Sequence, residues 1–233
     1  MKKDEKEQFE LDLNFNMDLD VFSDIEIDQE INMRVFNAPK VRRPENFVKS
    51  KNAVDMATRI TLEKDCRIYA IIDGNFVFFD LVFEIIKKYR CKLNKLSIST
   101  LSLSDDNINA LSILIEDGYV NKLDLIVSDY FYSHEKHNLV KYIYEQLDQN
   151  DDVFQFASAS THCKIITFIT ENGTKFVIHG SANLRSSSNL EQILIEQSDA
   201  VYDFFTEMHD NIIDTYKTID KSVRRTKLWN AIQ

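Results

Sequence analysis

From residue 51 onward, apolar runs of two different periods take turns along the chain, and this alternation constrains the fold more than any other feature. Lys51–Ile60 reads as a helix, Cys66–Ile72 as a strand closed by the turn pair Asp73-Gly74, Phe76–Tyr89 as a mostly apolar helix and Lys95–Leu101 as a strand. Ser104 is placed to cap a helix that runs through Glu116 and stops near Gly118. Leu123–Val127 then reads as a strand, His134–Leu147 as a helix and Val153–Ala157 as a short strand. Helices and strands in this succession predict an α/β domain whose central sheet is largely parallel at its start.

The composition sets limits on that domain. At 233 residues the chain fits one domain, or one domain with an appendage, and 44% hydrophobic residues are enough for a substantial core. The formal net charge of −10 argues against broad nonspecific binding to nucleic acid or to anionic lipid, while leaving room for a local basic groove. With only four glycines there is no Gly-rich phosphate loop, and Asp73-Gly74-Asn75 is simply a turn. Cys66, Cys91 and Cys163 are widely spaced, with no metal-ligand pattern, and read as reduced intracellular thiols. The opening MKKDEKEQ leads into an acidic stretch, and no apolar run approaches the ~20 residues needed to cross a bilayer. The expectation is a cytoplasmic protein with no signal peptide and no membrane association.

Charge divides the chain. Residues 1–30 hold eleven acids against three lysines, whereas residues 31–50 hold five bases against one acid together with both prolines, Pro39 and Pro44. The first stretch reads as an acidic tail and the second as a basic linker. Within the tail, Phe9, Leu11, Leu13, Phe15, Met17, Leu19 and Val21 occupy every second position. Two readings fit: a disordered acidic-hydrophobic tail, or a segment that adds to the sheet edge of a protein partner or lies against its own domain.

The chemistry concentrates between Thr161 and Gln192. Two β-prone runs flank Asn172-Gly173, a strong hairpin signal. If those two residues alone form the turn, Lys164 faces Ser181 and His162 faces Asn183. All four side chains then share one face, with opposed Cβ atoms ~5 Å apart. Such a cluster suits a phosphate diester: lysine neutralises nonbridging oxygens, hydroxyl and amide donate hydrogen bonds, and histidine attacks or transfers a proton. A slip of one residue would separate the faces.

His162-Cys-Lys164 followed by Gly180-Ser181-Ala-Asn183 resembles the HxK and GSxN signature of the phospholipase D superfamily. The continuation to Gln192 is also similar, including the family's glutamate at Glu191. More narrowly, the chain resembles short single-motif members found among phage and mobile-element proteins. The resemblance implies a mixed α/β sheet flanked by helices over residues 46–233, preceded by the acidic tail and linker at 1–45. It implies metal-independent phosphodiester cleavage through a phosphohistidine, with no cofactor and no metal. Nucleic acid is the expected substrate, and a homodimer is expected because two HxK motifs are needed and one is present. His162, Lys164, Ser181, Asn183 and Glu191 are the expected catalytic residues, with Glu191 orienting His162. Two departures stand out: Ile169 occupies the position of the motif aspartate, and the stretch between HxK and GSxN is longer than usual. These leave a second reading open, a catalytically silent module that binds nucleic acid or a protein.

Glu191 also admits a structural role. Ser188-Asn-Leu-Glu191 reads as a capping box before a helix with an apolar stripe through Leu190, Leu194, Gln197, Val201, Phe204, Met208 and Ile212. Cys163 alternates away from His162 and is expected to be buried. His179 has a strand role, His134 and His137 a solvated face, and Arg224, Arg225 and Lys227 a basic surface tail.

Overall fold

The computed structural model describes residues 45–50 (backbone only), 52–60, 64–72, 78–149, 152–185 and 189–216. The alternating stretch of the acidic tail, most of the basic linker, the Asp73-Gly74-Asn75 turn, Ser188 and the basic residues near 225 lie outside these. The elements in order are β1 (Glu45–Ser50), α1 (Ala53–Arg59), β2 (Arg67–Ile72), α2 (Asp80–Tyr89), β3 (Leu93–Thr100), α3 (Asp105–Glu116), β4 (Leu123–Ser128), α4 (Asp129–Glu135), α5 (Leu139–Leu147), β5 (Phe154–Ala159), β6 (Ile165–Thr170), β7 (Lys175–Gly180), β8 (Glu191–Glu196) and α6 (Asp199–Tyr216). None of these helices is long and apolar enough to cross a membrane.

The strands form one mixed sheet in the order β1-β2-β8-β7-β6-β3-β4-β5. Strands β1 and β2 are parallel, as are β3, β4 and β5, so the early part of the chain is parallel as expected. The antiparallel block β8-β7-β6 is inserted between those two groups. On one face, Ile68, Ile98, Leu125, Phe156, Phe168 and Ile195 pack with Met56, Leu81, Ile85, Leu111 and Ile143 from helices α1, α2, α3 and α5. The other face carries α6 over a smaller cluster of Ile165, Val177 and Tyr202. The domain is therefore an α/β fold with helices on both faces of a mixed sheet.

Local signals explain several boundaries. Ser104 and Asn107 form a capping box at the start of α3. The helix ends with Gly118 at φ +68°, its N–H donating to Ile115 O while Tyr119 N–H reaches back to Leu114 O. This is a Schellman closure, in which glycine takes the left-handed position without a Cβ penalty.

Three expectations are corrected. The region read as linker ends in β1, an edge strand that needs a partner on one side only. The expected single helix from His134 to Leu147 is two helices. Ser128 Oγ accepts the Phe131 N–H and starts α4 directly after β4, and Asn138, bonded to Glu135 through both its backbone and its side chain, interrupts the run. The expected helix beginning near Glu191 is instead strand β8. Ile193 and Ile195 are buried on one face, and the backbone is paired on both sides, to β2 and to β7. Glu191 therefore caps no helix, and α6 starts only at Asp199.

Candidate active site

Strands β1–β5 and β7 run in one direction and β6 and β8 in the other. The carboxyl ends of the first group thus lie beside the amino ends of the second, and the residues named from the sequence collect at that end. His162 and Lys164 lie in the loop before β6, Ser181 and Asn183 directly follow β7, and Glu191 opens β8. Open α/β sheets commonly bind ligands at the carboxyl ends of their strands.

The hairpin register differs from the expected one. Residue pairs run from Ile165↔His179 to Ile169↔Lys175, which places Lys164 opposite Gly180 and not Ser181. The cause is the turn. Thr170 N–H donates to Thr174 O at 2.9 Å, and Gly173 N–H to Thr170 O at 2.9 Å, so the loop holds Glu171, Asn172 and Gly173, with Gly173 at φ +80°. A three-residue loop with a left-handed glycine replaces the two-residue turn. The four side chains therefore do not share one strand face. His162 and Lys164 precede the regular strand and Ser181 and Asn183 follow it, so the two motifs meet at the end of the sheet.

Backbone contacts join the motifs there. Gly180 N–H donates to Lys164 O at 3.2 Å, and Lys164 Nζ folds back to His162 O at 3.1 Å. Gly180 is required by close approach: a Cβ there would lie 2.1 Å from Gln192 O and 2.9 Å from Ile193 Cα, both on β8. Ser181 is tied to the same strand three times. Its N–H donates to Gln192 O at 3.0 Å, its hydroxyl accepts the Gln192 N–H at 3.0 Å, and the same hydroxyl donates to the Glu191 carboxylate. Glu191 thus orients Ser181. Asn183 turns inward, where its Oδ1 accepts the Leu101 N–H at 3.3 Å just beyond β3.

His162 is exposed and Lys164 half-buried. Cys163 is exposed, contrary to expectation. Its N–H is held by Thr161 Oγ1 at 3.1 Å in a local turn, so strand alternation does not apply to it. Ile169, where the resemblance would lead one to expect an aspartate, is half-buried and, like Val201, Phe205 and Met208 of α6, packs against the cluster of Ile165, Val177 and Tyr202. That position serves the seat of the helix.

His179 lies on the face that carries α6. Its Nε2 is 3.7 Å from the buried Glu196, which also pairs with Arg67 at 3.1 Å, and its ring lies 5.2 Å from that of Phe205. His134 bonds to Tyr130 O through Nδ1 at 2.7 Å. Among the described residues, no group of three His, Cys, Asp or Glu side chains is placed to hold a metal ion.

A polar network beneath α6 was not legible in the sequence. His209 is wholly buried, with Thr167 Oγ1 3.4 Å from Nδ1 and Ser99 Oγ 3.2 Å from Nε2. Burial is the main influence that holds its imidazole down at about 4, with Asp210 opposing and Lys95 adding to the shift. Next to it, burial disfavours the charge of Lys95, but Asp124 at 2.8 Å and Asp210 at 2.6 Å outweigh that and keep its ammonium above the usual range. Of the expected apolar stripe only Val201 and Met208 pack beneath α6; Phe204 is exposed, and the buried Tyr202 and His209 lay outside it.

No protein-family model and no curated protein sequence matches the chain. Among solved structures, it is similar to Nuc from Salmonella typhimurium, described as a phospholipase D family member, at 17% identity and a TM-score of 0.42, over 55% of this chain and 84% of that one. It is similar to NucT from Helicobacter pylori at 14% identity and a TM-score of 0.47, over 66% and 99%. Phosphatidylserine synthase from Haemophilus influenzae is similar at 13% identity and a TM-score of 0.46, over 66% of this chain and 40% of that one.

Proposed function

We propose that this chain is a metal-independent phosphodiesterase that cleaves nucleic acid through a phosphohistidine, in a homodimer that brings two copies of His162 together. The observation that carries the reading is the meeting of His162-Cys-Lys164 with Gly180-Ser181 at the carboxyl end of the sheet, through the Gly180–Lys164 backbone bond. In this mechanism the neutral imidazole of one His162 attacks phosphorus. The bond to the leaving oxygen breaks, and the partner's His162 gives that oxygen a proton. A water molecule, losing its proton to the same partner histidine, then attacks phosphorus and releases the first imidazole. Lys164 neutralises a nonbridging oxygen, while Ser181, fixed by Glu191, lines the anion site.

The test incubates purified wild-type protein and the His162→Ala variant with single- and double-stranded DNA and RNA in EDTA. Wild type is expected to cleave and the variant not to. Undiminished cleavage by the variant would rule out the mechanism.

A second reading is a catalytically silent module that binds nucleic acid or a protein. Ile169 favours it, because the motif aspartate has been exchanged for a side chain that packs against α6. Salt-sensitive binding without turnover in the same assay selects this reading.

A further inference from the structure

We propose that Tyr130, backed by His134, is a stacking surface for an unpaired base of a nucleic-acid substrate; this rests on the nucleic-acid reading above. Tyr130 is 67% exposed, a large aromatic side chain in the first turn of α4. One side of its ring is covered by the His134 ring, with centroids 3.9 Å apart and planes inclined by 32°. The His134 ring is itself fixed, since a carbonyl only accepts and Nδ1 must carry the proton donated to Tyr130 O. The tyrosine is thus presented to solvent on a backing that limits its motion, and a ring already ordered loses less entropy when a partner stacks on it.

Its position points to the site's own substrate. Leu101 is held from two sides: its N–H donates to Asn183 Oδ1 at 3.3 Å, and its carbonyl accepts from Ser128 Oγ at 3.1 Å. Ser128 is the cap of α4 and Tyr130 follows two residues later. One backbone residue therefore links a motif side chain to the base of the Tyr130 turn. On the other side, Asp129 accepts from Ser158 at 2.7 Å near the carboxyl end of β5, the strand that leads to His162. That carboxylate disfavours a phosphate lying across the turn, so the contact that fits is a base, offered by a strand whose phosphate sits at Lys164.

Aromatic stacking on single strands is tolerant of sequence, and loss of one platform typically weakens binding by roughly ten- to a hundredfold. The test measures binding of the full chain, by fluorescence anisotropy, to an oligothymidine strand and to an abasic sugar–phosphate strand of equal length. Tyr130→Ala is expected to weaken oligothymidine binding within that range and leave the abasic strand unchanged, while Tyr130→Trp retains wild-type binding to both. Equal binding of oligothymidine by wild type and Tyr130→Ala overturns the stacking role and leaves the nucleic-acid reading standing. Failure of wild type to bind oligothymidine also overturns the stacking role, and the cleavage assay above on DNA and RNA then decides the nucleic-acid reading separately.

Discussion

The buried imidazole of His209 makes the stability of this domain depend on pH in a window that can be worked out. The ring is neutral in the fold, with its pKa lowered from an ordinary 6.5 to about 4, chiefly by burial. The unfolded chain therefore binds a proton at pH values where the folded one does not. The sign follows: the contribution is fully favourable above 6.5, is lost progressively as pH falls, and stops changing below about 4. Over the whole window the loss is about 3.4 kcal/mol, from 1.36 kcal/mol for each pH unit of displacement. Between pH 7 and pH 5, above most carboxylate titration, it is about 2 kcal/mol. Urea unfolding at these two pH values, on wild type and on His209→Gln, measures it. Glutamine keeps hydrogen-bonding capacity toward Ser99 and Thr167 and removes the titration. Wild type is expected to lose about 2 kcal/mol more than the variant between the two pH values. Equal losses in the two proteins would mean that the imidazole titrates alike in the folded and unfolded states, contrary to its burial.

Two further substitutions test the links between fold and site. Gly180→Ala places a methyl group against the β8 backbone, where a Cβ meets Gln192 O at 2.1 Å, so β7 and β8 must separate. A loss of ~3 kcal/mol in denaturant unfolding is expected from such overpacking, and an unchanged midpoint would show that the strands move apart freely. Ile169→Asp introduces the aspartate that the proposed function would favour, but puts a carboxylate beside the apolar cluster under α6. A loss of ~1–3 kcal/mol is expected in the same assay, and a stability equal to wild type would show that α6 does not need this contact.

What the sequence disclosed and what it concealed divide by range. Ser104 and Gly118 act within a few residues of themselves, so the start and stop of α3 were legible, whereas the part Asn107 plays in the cap was not read. The hairpin that carries His162, Lys164, Ser181 and Asn183 at its open end was legible as well, because Asn172-Gly173 marks its turn. The hairpin register was not: Asn172-Gly173 marks a turn in either geometry, and only the Thr170–Thr174 pairing shows that Glu171 belongs to the loop. Glu191-Gln-Ile-Leu-Ile-Glu196 is too short for its period to separate helix from strand. It becomes a strand because β2, from the start of the domain, supplies a second paired edge. His209 is concealed for the same reason, since its burial is decided by Ser99 and Thr167 from other strands.

The long-range contacts also separate what residue 169 does from what fixes the loop at 162–164. Strand β6 is held in the plane of the sheet by β3 on one side and β7 on the other. Its residues Ile165, Thr167 and Ile169 face α6, two of them through apolar packing and Thr167 through His209. His162 and Lys164 precede that stretch, and their loop is fixed by Thr161, by the Lys164 carbonyl and by the close approach of Gly180 to β8. A side chain at 169 therefore acts on the helix seat, whereas the geometry at 162–164 is set at the other end of the strand. If cleavage survives in wild type, the chemistry needs only the groups at that end. If it appears only in Ile169→Asp, the carboxylate acts on the site through β6, and the two ends of the strand are not independent.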